Sequence, residues 1–226
     1  MSIKENRFMV FDTETMGLEN RVVYDIGYYI VNRRGNVFAS RRFLVKEIIT
    51  NPRIMTDAFY HDKVYSDYLE MLDNSDSRLI YNWSDIQNYI REDINIYNVN
   101  TMSAYNLAFD MSAIKATNKA TGCGTLLTSR PVLLDLWLFS CLYLFNTRYY
   151  KEMAKDNNWI SPAGNYRTTA EHAYRFITLN ADYTEPHTAL EDAEIESEIL
   201  NRLLAKKQKI PYNTINAHPW RIPNAA

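Results

Sequence analysis

RFMVFDTET (residues 7–15) decides the fold. A short apolar run that ends in acidic and hydroxyl residues has the pattern of a buried strand whose C-terminal end enters a site. On a strand of period two, Asp12 and Glu14 point the same way, close enough for both carboxylates to reach one cation or bridge two. Two like charges where a buried strand emerges are unfavourable unless cations compensate them. As a bare triplet the pattern says little, because about 0.8 such D-x-E triplets are expected by chance at this composition. A second one indeed stands at Asp192 and Glu194. Position after FMVF is what separates the first from the second.

The flanking sequence supplies the rest of the sheet. VVYDIGYYIVN (22–32) and VFASRRFLV (37–45) are β-branched and aromatic, and Arg33-Arg34-Gly35-Asn36 between them predicts a hairpin. Residues 47–82 read as irregular, with a short helix over about 64–72. Ser84 with Gln87 reads as a capping box opening a helix to about Ile94, and NVNTMSAYN (98–106) as a strand before a helix that carries Phe109 to Lys119. PVLLDLWLFSCLYLF (131–145) predicts a buried strand running into an apolar helix. Thr168 with Glu171 reads as a second capping box. In ALEDAEIESEILNRLLAKK (189–207), Ala193, Ile195, Ile199, Leu200, Leu203 and Leu204 form the apolar side of an amphipathic helix. Three antiparallel strands followed by alternating helix and strand predict an α/β fold, a mixed five-stranded sheet flanked by helices. Residues 1–207 are read as one domain and 208–226 as an extension without regular structure.

A chain of 226 residues buries roughly 70–75% of its unfolded surface, so any metal serves chemistry rather than folding. The two cysteines, Cys123 and Cys141, have no C-x-x-C spacing, which argues against zinc and against an oxidised framework and favours a reducing cytoplasm. No long apolar N-terminal segment is present and Asp135 interrupts the longest apolar run, so neither secretion nor a membrane span is expected. With 25 basic and 27 acidic residues and a net charge of −2, no global positive field gathers nucleic acid. An enzyme that holds a single-stranded end through metal ions and stacking rings needs none. The 17 Tyr, among plentiful Asn, Ile and Lys, are read as codon bias of an AT-rich bacterial or phage genome rather than as a stacking surface.

Two further stretches carry chemistry. In YNLAFD (105–110) a strand again gives way to a helix, and Asp110 lies beside Asp12 and Glu14 if the two strands are neighbours. The alternative is that Asn106 caps the helix and Asp110 complements its dipole. In PHTALEDA (186–193), His187 precedes Asp192 by five residues at the start of the amphipathic helix. Such a pair is expected about 0.25 times by chance. Dipole stabilisation by Asp192 and an unremarkable loop histidine are the alternative there.

Taken together and in this order, FDTETMGL, YNLAFD and PHTALEDA resemble the three exonuclease motifs of the DEDDh class of 3′-to-5′ exonucleases, the group of the polymerase III epsilon subunit, RNase T and oligoribonuclease. The resemblance runs from about Phe8 to Leu204. It implies a ribonuclease H-like fold, two divalent ions (Mg²⁺ or Mn²⁺) held by Asp12, Glu14, Asp110 and Asp192, and His187 as general base. Oxygen ligands suit those ions better than zinc, and an imidazole with an ordinary pKa near 6.5 takes a proton at neutral pH. The segment after the first motif then approaches the terminal nucleotide, making Thr13, Thr15, Met16, Gly17 and Leu18 candidate substrate contacts, with Asn106 and Phe109 of the second motif. Met16 replaces a more usual small hydroxyl residue. A His-Gly-Ile-Thr-like loop is replaced by Ala58-Phe59-Tyr60-His61-Asp62-Lys63, in which His61 is the candidate contact and a plain surface loop the alternative. Asp135 reads either as an outer carboxylate or as a buried helix cap.

The expected activity is removal of nucleoside 5′-monophosphates from single-stranded 3′ ends, with DNA favoured. Trimming of RNA or of very short oligonucleotides is the near alternative, since the 2′-hydroxyl is read by local geometry. An idle exonuclease-like module that binds a nucleic-acid end or a protein is the alternative from another class. A polymerase or other replication partner is a third possibility, with no long tether after the domain to favour it.

Overall fold

Alternate side chains of β1 (Arg7–Thr15) enter two cores at once. Phe8 and Val10 join one apolar cluster, and Met9 and Phe11 join the other. A strand buried on both faces has no polar side to show, hence the unbroken apolar run in the sequence. The computed structural model describes residues 6–17, 21–51, 55, 79–127, 131–206 and 208–224. The helix expected over 64–72 lies outside them.

β2 (Val23–Asn32) pairs antiparallel with β1, and β3 (Val37–Val45) antiparallel with β2 through the predicted hairpin. After α1 (Lys46–Ile49) the chain forms β4 (Ile80–Tyr81), α2 (Trp83–Ile96), β5 (Thr101–Ala104), α3 (Leu107–Thr121) and β6 (Val132–Asp135). β5 lies parallel to β1, β6 parallel to β5 and β4 parallel to β3, in the order β4-β3-β2-β1-β5-β6. The sheet therefore has six strands among the described residues rather than the five expected. Its extra member is two residues long, too short for period two to register. β5 is shorter than the strand expected over 98–106, because Asn98 and Asn106 adopt positive φ (51° and 63°) and close it at either side.

α4 (Leu136–Ser140) runs directly into a π-helical turn, Cys141–Phe145, and is followed by α5 (Arg148–Asp156), α6 (Ala170–Thr178) and α7 (Ala189–Ala205). One helical turn, α8 (Arg221–Asn224), lies in the extension expected to lack regular structure. In the same extension, Asn213 exchanges two hydrogen bonds with the Leu133 backbone, at 2.7 and 2.9 Å, and so covers the outer edge of β6. Among the described residues no helix is long and apolar enough to cross a membrane.

Both predicted capping boxes are displaced. Asn82, not Ser84, holds the N-cap position of α2 without a side-chain bond. The Trp83 N–H is instead taken by the Glu47 carboxylate at 3.1 and 3.2 Å. Thr169, not Thr168, caps α6 by accepting from the His172 N–H. Thr168 is held elsewhere: its carbonyl accepts from the Tyr105 hydroxyl and its Oγ1 from Trp137 Nε1.

α7 positions the site. Ile199, Leu200, Leu203 and Leu204 are buried in the cluster that contains Phe8 and Val10, each worth about 1.5–3 kcal/mol of burial. The even-numbered side chains of β1 therefore face α7, and Asp12 and Glu14 continue that face beyond the core. Arg41 and Arg42, neighbours on β3, point to opposite faces. Arg41 pairs with Asp93 of α2 at 2.6 Å, where Tyr28 also donates at 2.8 Å. Arg42 pairs with fully buried Asp25 at 2.8 Å, and Asp25 in turn accepts from the Ala189 N–H at 3.3 Å. That chain of contacts fixes the first residue of α7 against β2.

Candidate active site

The three motifs meet at the C-terminal end of β1. Thr13 donates its hydroxyl to Asp110 Oδ1 at 2.7 Å, which ties the first turn of α3 to β1. Glu14, His187 and Asp192 offer ligand atoms that all lie within 4.8 Å of one another. The five-residue spacing of the third motif has a local reason. His187 takes a positive φ of 60°, and its backbone N–H bonds to the Asp192 carboxylate one turn into α7. The loop before it is held by α6, where Arg175 donates to the Tyr183 carbonyl at 2.7 Å and Glu171 accepts from the Glu185 N–H at 3.0 Å.

These groups surround a cavity of about 420 Å³ lined by Asp12, Glu14, Glu185, His187, Asp192 and Glu196, with Tyr105, Asn106, Trp137 and the 168–170 segment on its other walls. Glu185 and Glu196 were not among the sequence candidates. Glu196 lies on α7 four residues after Asp192, 3% exposed, and accepts from the Tyr105 N–H at 3.0 Å. A helix returns to the same face after four residues, so Glu196 shares a face with Asp192, but nothing in the sequence separates it from an ordinary polar position of that helix. Nothing local marks Glu185.

Burial and mutual repulsion set the electrostatics. Burial raises the Asp12 carboxyl well above its usual range, followed by the charges of Glu196, Asp110, Glu14 and Asp192. Glu14 is raised well above its usual range by burial and then by Asp192. Burial lifts Asp110 to about 7, with the Thr13 hydrogen bond opposing. Asp192 is raised to about 8 by burial and then Glu185, and Glu185 to about 7 by burial and then Glu171. A clustering of raised carboxylates in a cleft is a mark of a functional site.

A divalent cation fits this set. All the carboxylate donors are oxygen, and Asp192, 6% exposed, carries a buried Oδ1 with no hydrogen-bond partner. Such a lone acceptor costs free energy unless a positive charge meets it.

The remaining candidates fall in different places. Asn106 is exposed in a left-handed conformation, lines the cavity and makes no side-chain cap. Phe109 is half-buried with the Arg21 guanidinium 5.1 Å above its ring. Thr15 is buried where the β1–β2 register shifts. Met16 is 3% exposed within the apolar core, so its side chain is spent on packing rather than turned to the cavity. Gly17 has φ of 152° and open space around its Cα. Leu18, His61, Tyr60 and Lys63 lie outside the described residues. Asp135 is a helix cap, accepting from the Leu138 N–H at 3.1 Å, and it also receives the Asn106 N–H.

No protein-family model matches the chain, and no curated protein matches it. Among solved structures it aligns with E. coli Exonuclease I in complex with a dA16 oligonucleotide at a TM-score of 0.55 and 14% identity, over 91% of this chain and 41% of that one. The chain shares the fold of Exonuclease I. It spans less than half of that protein's length. Exonuclease X in complex with 5′ overhanging duplex DNA aligns at 0.44 and 14% identity, over 96% and 99% of the two chains. S. pombe Pop2p in its Mg²⁺- and Mn²⁺-bound form aligns at 0.41 and 15%, over 88% and 83%. The fold is the ribonuclease H-like α/β sheet that the motifs imply.

Proposed function

We propose that this protein is a metal-dependent 3′-to-5′ exonuclease of the DEDDh type that releases nucleoside 5′-monophosphates from single-stranded DNA ends, with residues 1–207 as the nuclease domain. The observation that carries this reading is the convergence of Asp12, Glu14, Asp110, His187 and Asp192, drawn from three separate motifs, at one end of the sheet. The shared fold of a DNA-bound exonuclease supports it.

Asp12, Glu14, Asp110 and Asp192 would hold two divalent cations, Mg²⁺ or Mn²⁺. Bound there, the cations offset phosphate charge, make a water more acidic and stabilise a leaving 3′ oxygen. The chain's own groups do the rest. His187 accepts the proton of the attacking water, the water oxygen bonds to phosphorus, and the bond from phosphorus to the 3′ oxygen breaks. Thr13 fixes one Asp110 oxygen, and the His187 backbone N–H fixes Asp192, so the carboxylates are oriented before substrate arrives. Asn106, on the cavity wall, and the backbone at Gly17, beside the first motif, are the proposed contacts to the terminal nucleotide.

The test is a time course of wild type and Asp12→Ala on 5′-labelled single-stranded DNA and RNA with Mg²⁺, Mn²⁺ or chelator. A metal-dependent ladder that shortens from the 3′ end of DNA, absent in the variant, is expected. Intact DNA and RNA throughout would turn the reading to an idle binding module.

A further inference from the structure

We infer that Glu196 is a further cation ligand of this site, beside Asp12, that the three motifs do not include. The inference rests on the nuclease reading above and enlarges its metal site.

Glu196 is 3% exposed and yet lines the cavity together with Asp12, Glu14, His187 and Asp192. Its backbone position is fixed by α7, one turn beyond Asp192, so the two side chains lie on one helix face. One of its oxygens, Oε2, is occupied by the Tyr105 N–H at 3.0 Å. Tyr105 is the residue that ends β5, the strand parallel to β1. Glu196 is thus held from the β5 side of the site, whereas Glu14 and Asp192 approach one another from the β2 side, where Asp25 fixes Ala189. Asp12 lines the same cavity, and of the neighbouring charges Glu196 acts on it most strongly. Among the described residues no Lys, Arg or His side chain pairs with Glu196, whose hydrogen-bond partner is a backbone amide.

A buried carboxylate with one oxygen on an amide and no basic partner is expensive to keep in a fold. Burial lifts the Glu196 carboxyl well above its usual range, with Asp110 adding to it. A structural role would be served as well by glutamine, which accepts the same amide and carries no charge to desolvate. A charged oxygen acceptor aimed at a cavity with the lone buried Asp192 Oδ1 is what a hard divalent cation uses.

The experiment is Mn²⁺ titration of the metal-free protein, followed by electron paramagnetic resonance and calorimetry, without nucleic acid, for wild type, Glu196→Gln and Glu196→Asp. Circular dichroism in chelator establishes that each variant is folded. Glu196→Gln keeps the Tyr105 hydrogen bond and is expected to weaken one Mn²⁺ site at least about tenfold, with Glu196→Asp recovering part of that loss because the charge returns. Equal stoichiometry and affinity in wild type and Glu196→Gln would remove Glu196 from the metal site and leave the nuclease reading intact. No Mn²⁺ binding by wild type would overturn both.

Discussion

A Cβ added at Gly27 would lie 2.4 Å from the backbone nitrogen of Leu190, closer than any real side-chain carbon approaches a backbone. β2 and the first turn of α7 touch at that point, and α7 carries Asp192 and Glu196 and follows His187 directly. Glycine is used here for close approach, without an unusual φ.

Gly27→Ala is therefore expected to push the start of α7 away from β2. Overpacking of this kind costs about 1–3 kcal/mol, visible as a lower midpoint in urea. The distinguishing outcome is at the site: Mn²⁺ affinity and cleavage should both fall, because His187 and Asp192 move with the helix. A variant with reduced stability but unchanged Mn²⁺ binding would mean that the contact supports the fold alone.

Asp12→Ala separates stability from function in the opposite direction. Asp12 is surrounded by Glu196, Asp110, Glu14 and Asp192, so losing its charge relieves repulsion in the metal-free protein. The unfolding midpoint in chelator should rise, while cleavage falls on the order of a thousandfold or more. A drop in that midpoint would mean that Asp12 stabilises the metal-free fold.

The raised carboxylates also fix the pH dependence of metal-free stability. Asp110, Asp192 and Glu185 have folded values of about 7, 8 and 7 against ordinary values of 3.8, 3.8 and 4.5. A raised folded value means that the folded state holds its protons longer, so this stability is complete below the ordinary values and lost as pH rises through about 7 to 8. His172 works the other way. Burial, then Arg175, lowers it from 6.5 to about 4, so its contribution is lost as pH falls from 6.5 toward 4. Three carboxylates outweigh one imidazole, and thermal unfolding in chelator should fall from about pH 5 to about pH 8, with Mg²⁺ restoring most of the loss at the upper end. A midpoint that rises over that range in chelator would contradict the arrangement of charges.

How much of this was readable in the sequence follows from what each residue's neighbours are. The second and third motifs were readable because each lies where a strand or loop meets a helix, and the first because Asp12 and Glu14 end a buried strand and share a face through period two alone. The displaced caps were not, because their causes are tertiary. Glu47, far along the chain, takes the Trp83 amide at the start of α2, where Asn82 makes no side-chain cap, and Thr168 is claimed by Tyr105 and Trp137, leaving Thr169 to cap. Glu196 looked like an ordinary polar position on an amphipathic helix. Only the Tyr105 amide and the depth of the cavity distinguish it. Met16 shows the converse, since proximity to the motif suggested a substrate contact and the core claimed the side chain.

His187 tests the chemistry most directly. Its ring lies with Glu14 and Asp192, which admits two roles, ligand or base. As base, its removal in His187→Ala costs about 10²- to 10⁴-fold in rate, abolishes the acid limb of the pH–rate profile and leaves the number of bound Mn²⁺ ions unchanged. As ligand, the variant would lose Mn²⁺ binding in step with rate, and excess metal would rescue the activity. Measuring rate against pH at saturating Mn²⁺, together with the titration, separates the two. We expect the loss of rate to persist at saturating metal, because proton transfer cannot be replaced by a higher cation concentration.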